Sequence, residues 1–467
     1  MAEPRNIIQK IWDQHVVAEL DDGQCLLHVD RIVLHDRAGP AVFEPLQASG
    51  RKPAQPGLVF GTMDHIVDTH VGRDDNTLFK GGRAFIESFR AGALTHGVTL
   101  FDMGDPRQGI SHVISPELGI ALPGATLVCC DSHTSTVGGL GALAWGIGTT
   151  EGEHALATQT LVRSRPRTMR VEMNGRLPPG VTAKDMALAL IGRHGATGGD
   201  GHAIEFCGEA VRGLGVEARL TLCNMAVEFG AWTGLVAPDA TTVDWLRGRP
   251  HAPRGDQWDA AIAHWRSLCS DPGASYDRTL ELDCATLAPQ VTWGTHPGQV
   301  VGVLDPVVPD AEGAQRALDY MDVRAGQVLA GLPIDAAFIG SCTNSRLSDL
   351  RTAAAVVQGR RVAAGVTAIV VPGSTAVKLA AEAEGLDTVF RDAGFEWRES
   401  GCSLCFYVGG DSFDRPGRPA RRVISSTNRN FEGRQGPGVR THLASPATVA
   451  ASALAGCIAD PRPLLAA

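Results

Sequence analysis

The 467-residue sequence lacks any apolar run near the ~18 residues that a membrane-spanning helix needs. Its best run, at 140–147, is short and is broken by Gly141 and Gly146. The first residues mix acidic and basic side chains and lead into a helix-like pattern without the apolar core of a signal peptide. We therefore expect a cytoplasmic protein that does not span a membrane.

The sequence also lacks an excess of positive charge and is poor in aromatic residues. Lys and Arg number 42 against 51 Asp and Glu, which gives a formal charge of -9, and aromatic residues make up 5%. Nucleic-acid binding needs basic side chains for phosphates and aromatic ones for stacking on bases. We therefore expect no nucleic-acid partner. Hydrophobic residues make up 44% and charged residues 20%, which excludes wholesale disorder.

Two common catalytic signatures are missing. The glycine-rich stretch at 138–148 has no Gly-Lys-Ser/Thr of a phosphate loop, so we predict that its glycines allow a helix to pack closely on a sheet. The run Asp131-Ser132-His133 invites comparison with a hydrolase. No Gly-x-Ser-x-Gly nucleophile elbow accompanies it, and adjacency in sequence does not give a catalytic triad its geometry.

Short apolar runs alternate with amphipathic stretches over much of the chain. The runs at 126–130, 336–339 and 368–371 predict strands, and the stretches at 149–161, 347–358 and 376–383 predict helices. This alternation predicts an α/β fold with mainly parallel sheets, in which ligands bind in loops at the carboxyl ends of strands. Breaks in composition place three domains at 1–165, 166–288 and 289–467.

The eleven cysteines are odd in number and mostly irregular in spacing, which does not fit a disulfide framework. The clearest signal is the pair Cys402 and Cys405, with Cys342 upstream where a loop should follow a strand. Such a set fits a zinc site completed by a histidine, a redox dithiol, or an iron-sulfur cluster with three thiolates and one open iron.

Histidines and carboxylates cluster in polar turns near predicted strand ends. Asp64 and His65 are adjacent, His112 lies in a second turn, and Asp131 and His133 lie in a third. Imidazole next to carboxylate is suited to proton transfer. An isolated histidine is more often structural, and we assign no function to the two histidines at 154 and 264.

Two arginines, Arg429 and Arg434, lie in one short turn-rich segment at 426–434. Guanidinium groups bind carboxylates through two parallel hydrogen bonds, so this loop would suit an anionic substrate. Pairing with nearby acids at the surface is the alternative.

Taken in order, nine short motifs resemble those of the aconitase family over nearly the whole chain. They are Thr-Met-Asp-His at 62–65, Asp-Ser-His-Thr at 131–134, Glu-Phe-Cys-Gly-Glu at 205–209, Thr-Leu-Cys-Asn-Met at 221–225, Val-Thr-Trp-Gly at 291–294, Ile-Gly-Ser-Cys-Thr-Asn-Ser-Arg at 339–346, Gly-Phe-Glu-Trp at 394–397, Cys-Ser-Leu-Cys at 402–405 and Asn-Arg-Asn-Phe-Glu-Gly-Arg-Gln-Gly at 428–436. The resemblance is strongest to the family's two-subunit isopropylmalate isomerases. It implies three α/β domains with mainly parallel sheets around an iron-sulfur cluster, without the swivelling domain.

The resemblance also implies a cofactor and a set of site residues. One 4Fe-4S cluster per chain would be held by Cys342, Cys402 and Cys405, with one iron not ligated by cysteine and open to the substrate. Three carboxylates would each orient a histidine: Asp64 for His65, Asp131 for His112 and Glu228 for His133. The groups that bind substrate carboxylates or support them would be Ser132, Asn224, Asn428, Arg429 and Arg434.

The same resemblance implies that the chain is the large subunit of a hydro-lyase that interconverts 2-isopropylmalate and 3-isopropylmalate in leucine biosynthesis. In one-chain aconitases the swivelling domain supplies a serine base, so we expect a separate small subunit to complete the active site here. Ala41, Ile66 and Phe406 depart from the family pattern. These departures keep open a related alkylmalate, a citraconate-like acid or homoaconitate as the substrate.

Two hypotheses from other classes remain. An RNA-binding iron sensor is disfavoured by the negative charge and by the intact histidine and arginine motifs. A zinc-stabilised binding module predicts colourless protein that contains zinc and no sulfide.

Overall fold

The computed structural model describes residues 3–309, 314–405, 412–413 and 421–465. Within these ranges, no helix is both long enough and apolar enough to cross a bilayer. Phe406 lies outside the described residues.

The strands of the described residues are β1 (Val16–Glu19), β2 (Gln24–His28), β3 (Arg31–His35), β4 (Val59–Thr62), β5 (Thr99–Phe101), β6 (Thr126–Cys129), β7 (Leu143–Gly146), β8 (Thr160–Ser164), β9 (Arg167–Asn174), β10 (His202–Cys207), β11 (Thr233–Val236), β12 (Arg278–Asp283), β13 (Gln290–Thr292), β14 (Val300–Gly302), β15 (Ala336–Ile339), β16 (Thr367–Val370), β17 (Phe395–Trp397), β18 (Arg422–Ser425) and β19 (Arg440–Leu443).

The α-helices are α1 (Ile7–His15), α2 (Gly39–Ala48), α3 (Gly82–His96), α4 (Ser111–Glu117), α5 (Thr149–Thr158), α6 (Ala183–His194), α7 (Glu209–Arg212), α8 (Val216–Asn224), α9 (Ala240–Leu246), α10 (Asp256–Ser267), α11 (Ala314–Met321), α12 (Leu347–Val357), α13 (Thr375–Ala383), α14 (Leu386–Ala393), α15 (Pro446–Ala455) and α16 (Arg462–Leu465). A 3-10 segment, Ser132–Leu140, follows β6.

The chain divides into two compact units. Unit 1 contains residues 1–64, 83–174 and 199–282, and unit 2 contains 65–82, 175–198 and 283–467. The boundaries of the three expected domains stay a prediction.

Unit 1 is built on two sheets with parallel pairing and one small antiparallel sheet. The strand order of the first is β5-β4-β3-β6-β7, and all four neighbouring pairs are parallel. The second has the order β11-β10-β9-β12, with β10 parallel to both neighbours. The antiparallel sheet is β1-β2-β8. The three central strands of the first sheet, β4, β3 and β6, are buried on both faces, which is typical of parallel sheets covered by helices.

Unit 2 centres on a parallel sheet of order β17-β16-β15-β18-β19. Its apolar side chains form a core that includes Phe338, Ile369 and Val423. Leu404, between the two cysteines of the Cys-x-x-Cys pair, is also part of this core. Burial of Leu404 therefore fixes the position of the loop that carries both cysteines.

The mixed α/β fold with several parallel sheets confirms the expected fold class. The strand predicted at 336–339 is β15, and the runs at 126–130 and 368–371 correspond to β6 and β16 within one residue at each end. The helix predicted at 149–161 is too long. Gln159 adopts a left-handed conformation that ends α5, and the β-branched and apolar residues after it form β8.

Candidate active site

Two predicted site residues of unit 1, Asp64 and Asp131, lie just after strands of its first sheet. Asp64 follows β4 and Asp131 follows β6, and the carboxyl ends of parallel strands meet at the same edge of a sheet. Asp64 is fully buried, and its Oδ2 accepts a hydrogen bond of 2.9 Å from the main-chain nitrogen of Ser111, the first residue of α4. The expected pairing of Asp64 with His65 stays a prediction.

Asp131 holds two histidines at once. Its Oδ1 lies 3.0 Å from His112 Nε2 and accepts a hydrogen bond of 2.7 Å from the main-chain nitrogen of His133. The second contact caps the 3-10 segment after β6, so the backbone geometry and the imidazole orientation depend on one carboxylate. The contact between His112 and Asp131 is the one that the family resemblance implied.

His133 makes the third expected contact. Its Nε2 lies 2.9 Å from Glu228 Oε1, with side-chain exposures of 5% and 2%. Its Nδ1 lies 3.3 Å from the hydroxyl oxygen of Ser132, which is itself exposed. The imidazole of His133 is therefore oriented from inside by a buried carboxylate and faces an exposed hydroxyl on the other side.

Asn224 ends α8 and is fully buried, with its Nδ2 donating to Thr136 Oγ1 at 2.8 Å. The close approach of α8 to the 3-10 segment depends on glycine. A Cβ at Gly139 would lie 2.6 Å from the main-chain nitrogen of Leu220 in α8, and one at Gly138 would lie 2.0 Å from the carbonyl oxygen of Gly234 in β11. Gly138 and Gly139 therefore allow close packing, as predicted, but it is a 3-10 segment that packs, against both α8 and β11.

The three candidate cluster cysteines lie in unit 2 and are buried, with exposures of 4% for Cys342, 5% for Cys402 and 7% for Cys405. Cys342 follows β15, and Ser341 before it has the left-handed φ of 84°. Ser403, next to Cys402, also has a positive φ, of 46°. Backbone strain of this kind is concentrated at functional sites in proteins.

Polar side chains connect the thiols. Ser341 Oγ lies 3.3 Å from Cys405 Sγ and 3.9 Å from Cys342 Sγ. Asn428, fully buried in the loop after β18, donates from Nδ2 to Cys342 Sγ at 3.5 Å, and its Oδ1 lies 4.0 Å from Cys405 Sγ. The structure therefore brings together the thiols of Cys342 and Cys405, which are 63 positions apart in sequence, as the predicted cluster requires.

Two cationic or titratable groups of unit 2 lie beside the thiols of Cys402 and Cys405. His65 Nε2 lies 4.0 Å from Cys402 Sγ, and Arg434 Nη2 lies 3.8 Å from Cys405 Sγ. Arg429 follows Asn428 directly and is half-buried. The question left open by the sequence was whether the arginine loop meets the cysteines, and the contact of Arg434 with Cys405 shows that it does.

The donor set fits an iron-sulfur cluster. Three buried thiols are available, and thiolate is the ligand that such clusters require. Amide, hydroxyl and guanidinium donors lie at hydrogen-bonding distances from these sulfurs. Hydrogen bonds to the sulfurs are a principal means by which proteins tune a cluster.

Three polar residues of unit 2 near the site were not among the residues predicted from the sequence. Ser341 stands between two of the thiols, and its signal was the small hydroxyl residue directly before Cys342 in the Gly-Ser-Cys motif. Lys184 and Arg346 are almost fully buried and donate to loop carbonyls. Nothing in their spacing distinguishes them from ordinary charged residues of helix termini.

The departures from the family pattern lie in different settings. Ala41 is exposed near the start of α2, whereas Ile66 is buried, with 2% exposure. The two histidines to which no function was assigned, His154 and His264, are both exposed on helices.

Comparison with known proteins places this arrangement in a family. The sequence profile described as "Aconitase family (aconitate hydratase)" matches residues 9–456. The 3-isopropylmalate dehydratase large subunit 1 of Bradyrhizobium diazoefficiens is 53% identical, over 98% of this chain and 96% of its own length. The crystal structure of Thermococcus kodakaraensis aconitase X (holo-form) aligns with 91% of this chain and 89% of that chain, at 14% identity and a TM-score of 0.47. The match over almost the full length, together with the buried thiols and the carboxylate-held histidines, shows that the chain belongs to the aconitase family.

Proposed function

We propose that the chain is the large subunit of a 3-isopropylmalate dehydratase, a hydro-lyase of leucine biosynthesis that interconverts 2-isopropylmalate and 3-isopropylmalate by removing and adding water. The observation that carries this proposal is the 53% identity, over 98% of the chain, to a relative of that name. The buried histidine-carboxylate contacts and the three buried thiols support it.

Membership of the aconitase family implies a 4Fe-4S cluster. We propose that Cys342, Cys402 and Cys405 hold it and that one iron has no cysteine ligand. When bound, the cluster supplies a Lewis acid that polarises the substrate's oxygens. Ser341 and Asn428 donate hydrogen bonds toward the thiolates and so keep them oriented in a low-dielectric setting.

The reaction removes a proton next to a carboxylate and expels hydroxide, so it needs a base, an acid and stabilisation of negative charge. We assign the acid and orienting roles to His112 and His133, because Asp131 and Glu228 each fix one ring nitrogen of a buried imidazole. The proton of His133 is then exchanged at Nδ1, the nitrogen that faces Ser132. The same proposal gives Asp64 and His65 a supporting role in proton transfer.

Arginine and amide groups are proposed to bind the substrate's carboxylates. Arg429 and Arg434 supply two guanidinium forks from one loop, and the second already lies beside a cysteine sulfur. Ser132 is exposed and adds a hydroxyl donor. Asn224 and Asn428 are buried and hold the surrounding loops by hydrogen bonds rather than by charge.

The name of the relative as a large subunit implies a separate small subunit, and we propose that this partner supplies the missing base and completes the pocket. We also propose a cytoplasmic location, because a reducing compartment keeps the thiols available as cluster ligands.

A second candidate function keeps the chemistry and changes the substrate to a related alkylmalate, a citraconate-like acid or homoaconitate. It is favoured by Ile66, an apolar buried residue directly after the Asp64-His65 pair, and by Ala41, which offers no amide to a carboxylate.

The test is an anaerobic assay of the cluster-reconstituted chain with its small subunit, against 2-isopropylmalate, citraconate, homoaconitate and related alkylmalates. The C405S variant, which lacks one proposed ligand, is the matched control. Preference for 2-isopropylmalate by at least about a hundredfold in kcat/KM supports the first function. Preference for another diacid establishes the second, and absence of turnover by a brown, cluster-loaded complex overturns both.

A further inference from the structure

Two buried cations lie beneath the loops that carry the cluster cysteine and the substrate arginines. Lys184, on the first turn of α6, has 0% exposure, and Arg346, the N-cap residue of α12, has 2%. Burial of a cationic group is costly unless hydrogen bonds compensate for the lost water. The partners that supply these bonds therefore indicate what each cation does.

Each cation donates to two consecutive main-chain carbonyls. Lys184 Nζ donates to the carbonyl oxygen of Ser426 at 2.8 Å and to that of Thr427. Arg346 donates from Nη2 to the carbonyl oxygen of Cys342 at 2.9 Å and from Nη1 to that of Thr343 at 3.0 Å. The first pair directly precedes Asn428 and Arg429, and the second pair includes the proposed cluster ligand.

The two loops are neighbours because they follow adjacent parallel strands, β15 and β18. Ser426 Oγ accepts from the main-chain nitrogen of Gly340 at 3.0 Å, and Asn428 Nδ2 donates to Thr343 Oγ1 at 3.0 Å. The loops after β15 and β18 are therefore joined by hydrogen bonds. Arg346 contacts the first loop and Lys184 contacts the second.

The geometry of the peptide group gives these contacts a direction. In a trans peptide the N–H points away from the C=O, so a carbonyl turned toward a cation turns the next N–H to the opposite side. The carbonyl of Cys342 faces Arg346, and the N–H of Thr343 donates to Ser341 Oγ at 3.4 Å. That hydroxyl is the one 3.3 Å from Cys405 Sγ, so the N–H end of this peptide faces the thiol side.

We propose that Lys184 and Arg346 are positioning residues that each hold one peptide dipole, Thr427–Asn428 and Cys342–Thr343 respectively, with its N–H end toward the proposed cluster and substrate carboxylates. The inference rests on the proposed function and deepens it. Lys184 acts on the Thr427–Asn428 peptide and hence on substrate binding by Arg429. Arg346 acts on the Cys342–Thr343 peptide and hence on the thiolates. Fixed dipoles aimed at negative charge stabilise it without reorganisation during the reaction.

The two residues are tested against each other in the cluster-loaded complex with the small subunit, using K184M, K184R, R346M and R346K. We expect K184M to raise KM at least about tenfold, the effect of losing a charge-assisted hydrogen bond, with kcat changed less. Hydrogen exchange of the 426–434 peptide should also be faster. We expect K184R, which keeps the charge and the donors, to remain within about threefold of the wild-type KM.

For Arg346 the expected effect is on the cluster and not on KM. R346M should release iron to a chelator at least about threefold faster than wild type and alter the electron paramagnetic resonance spectrum of the reduced cluster. R346K, a point charge that cannot form the two-pronged contact, should lie between R346M and wild type.

The proposal is overturned if K184M leaves both KM and exchange at 426–434 unchanged, or if K184R raises KM as much as K184M does. If K184M does not fold, the KM of K184R is compared with that of wild type alone. A KM more than about threefold above the wild-type value then overturns the proposal. A wild-type complex that prefers another diacid is tested with that diacid. Hydrogen exchange, iron release and the resonance spectrum require no turnover, so they test this inference even where the proposed reaction fails.

Discussion

The Nε2 atom of His133 lies 2.9 Å from Glu228 Oε1, and 95 positions of sequence separate the two residues. His133 belongs to the 3-10 segment after β6, whereas Glu228 comes shortly after α8. Gly139, which lets α8 approach this segment, therefore also helps to bring the carboxylate to the imidazole.

The variant E228Q should lower kcat/KM about 10- to 100-fold, because the amide keeps a hydrogen-bonding group near His133 but removes the charge that stabilises a protonated ring. The measurement is steady-state kinetics with anaerobically reconstituted complex. E281Q, at an exposed position of β12, is the matched control and should behave as wild type. Equal kinetics for E228Q and wild type would remove Glu228 from the proposed site.

The variant C405S should lose most of its cluster, because a hydroxyl at this buried position is a poor ligand for iron compared with a thiolate. We expect iron and sulfide per chain to fall to less than about a third of the wild-type value after identical reconstitution. C269S changes an exposed cysteine outside the proposed ligand set and should retain the wild-type content. A C405S protein as rich in iron and sulfide as C269S would contradict the ligand assignment.

The parallel-sheet fold could be predicted because strand and helix patterns are local. The strand at 336–339, for example, is an apolar run followed by a glycine. The end of α5 could not be predicted as well, because Gln159 adopts a left-handed conformation that glycine or asparagine usually signals. Local sequence does not report such a backbone state in a glutamine.

The site likewise contains some residues that the sequence pattern reveals and others that it does not. The Cys-x-x-Cys pair and the Asp131-Ser132-His133 run are visible because chemistry-bearing residues lie within a few positions of each other. The contact between Glu228 and His133 came only from the family resemblance, since a single glutamate after a helix carries no pattern of its own. Lys184 carries no signal in the sequence, because its partners are main-chain carbonyls 242 and 243 positions away.

The variant G138A should destabilise unit 1, because its new Cβ would lie 2.0 Å from the carbonyl oxygen of Gly234. This oxygen belongs to the main chain and cannot avoid the clash by a change of rotamer. Overpacking of this kind costs about 1–3 kcal/mol. The measurement is the free energy of unfolding from urea denaturation. G57A is the control, since a Cβ there meets nothing within 4 Å. Similar unfolding energies for the two variants would show that the segment can move away from β11.

His442 makes folding dependent on pH. It is fully buried in β19, with Nδ1 2.6 Å from the carbonyl oxygen of Thr292 and Nε2 2.8 Å from Arg422 Nη1. Burial first, and then the nearby Arg422 charge, lower the pKa of His442 from 6.5 to about 3. The folded chain therefore keeps this imidazole neutral where the unfolded chain takes up a proton. Stability contributed by the neutral ring is complete above about pH 6.5 and is lost as the pH falls toward about 3.

Between pH 7 and pH 5 this single group should lower the free energy of unfolding by about 2 kcal/mol, since each unit of pKa difference corresponds to about 1.4 kcal/mol. Urea denaturation at both pH values measures the loss. In H442Q the loss should be smaller than in wild type by that amount, because no imidazole remains to take up a proton on unfolding. H264Q removes an exposed histidine of α10 and should show the wild-type loss. An equal loss in H442Q and H264Q would mean that the imidazole of His442 gains its proton without unfolding.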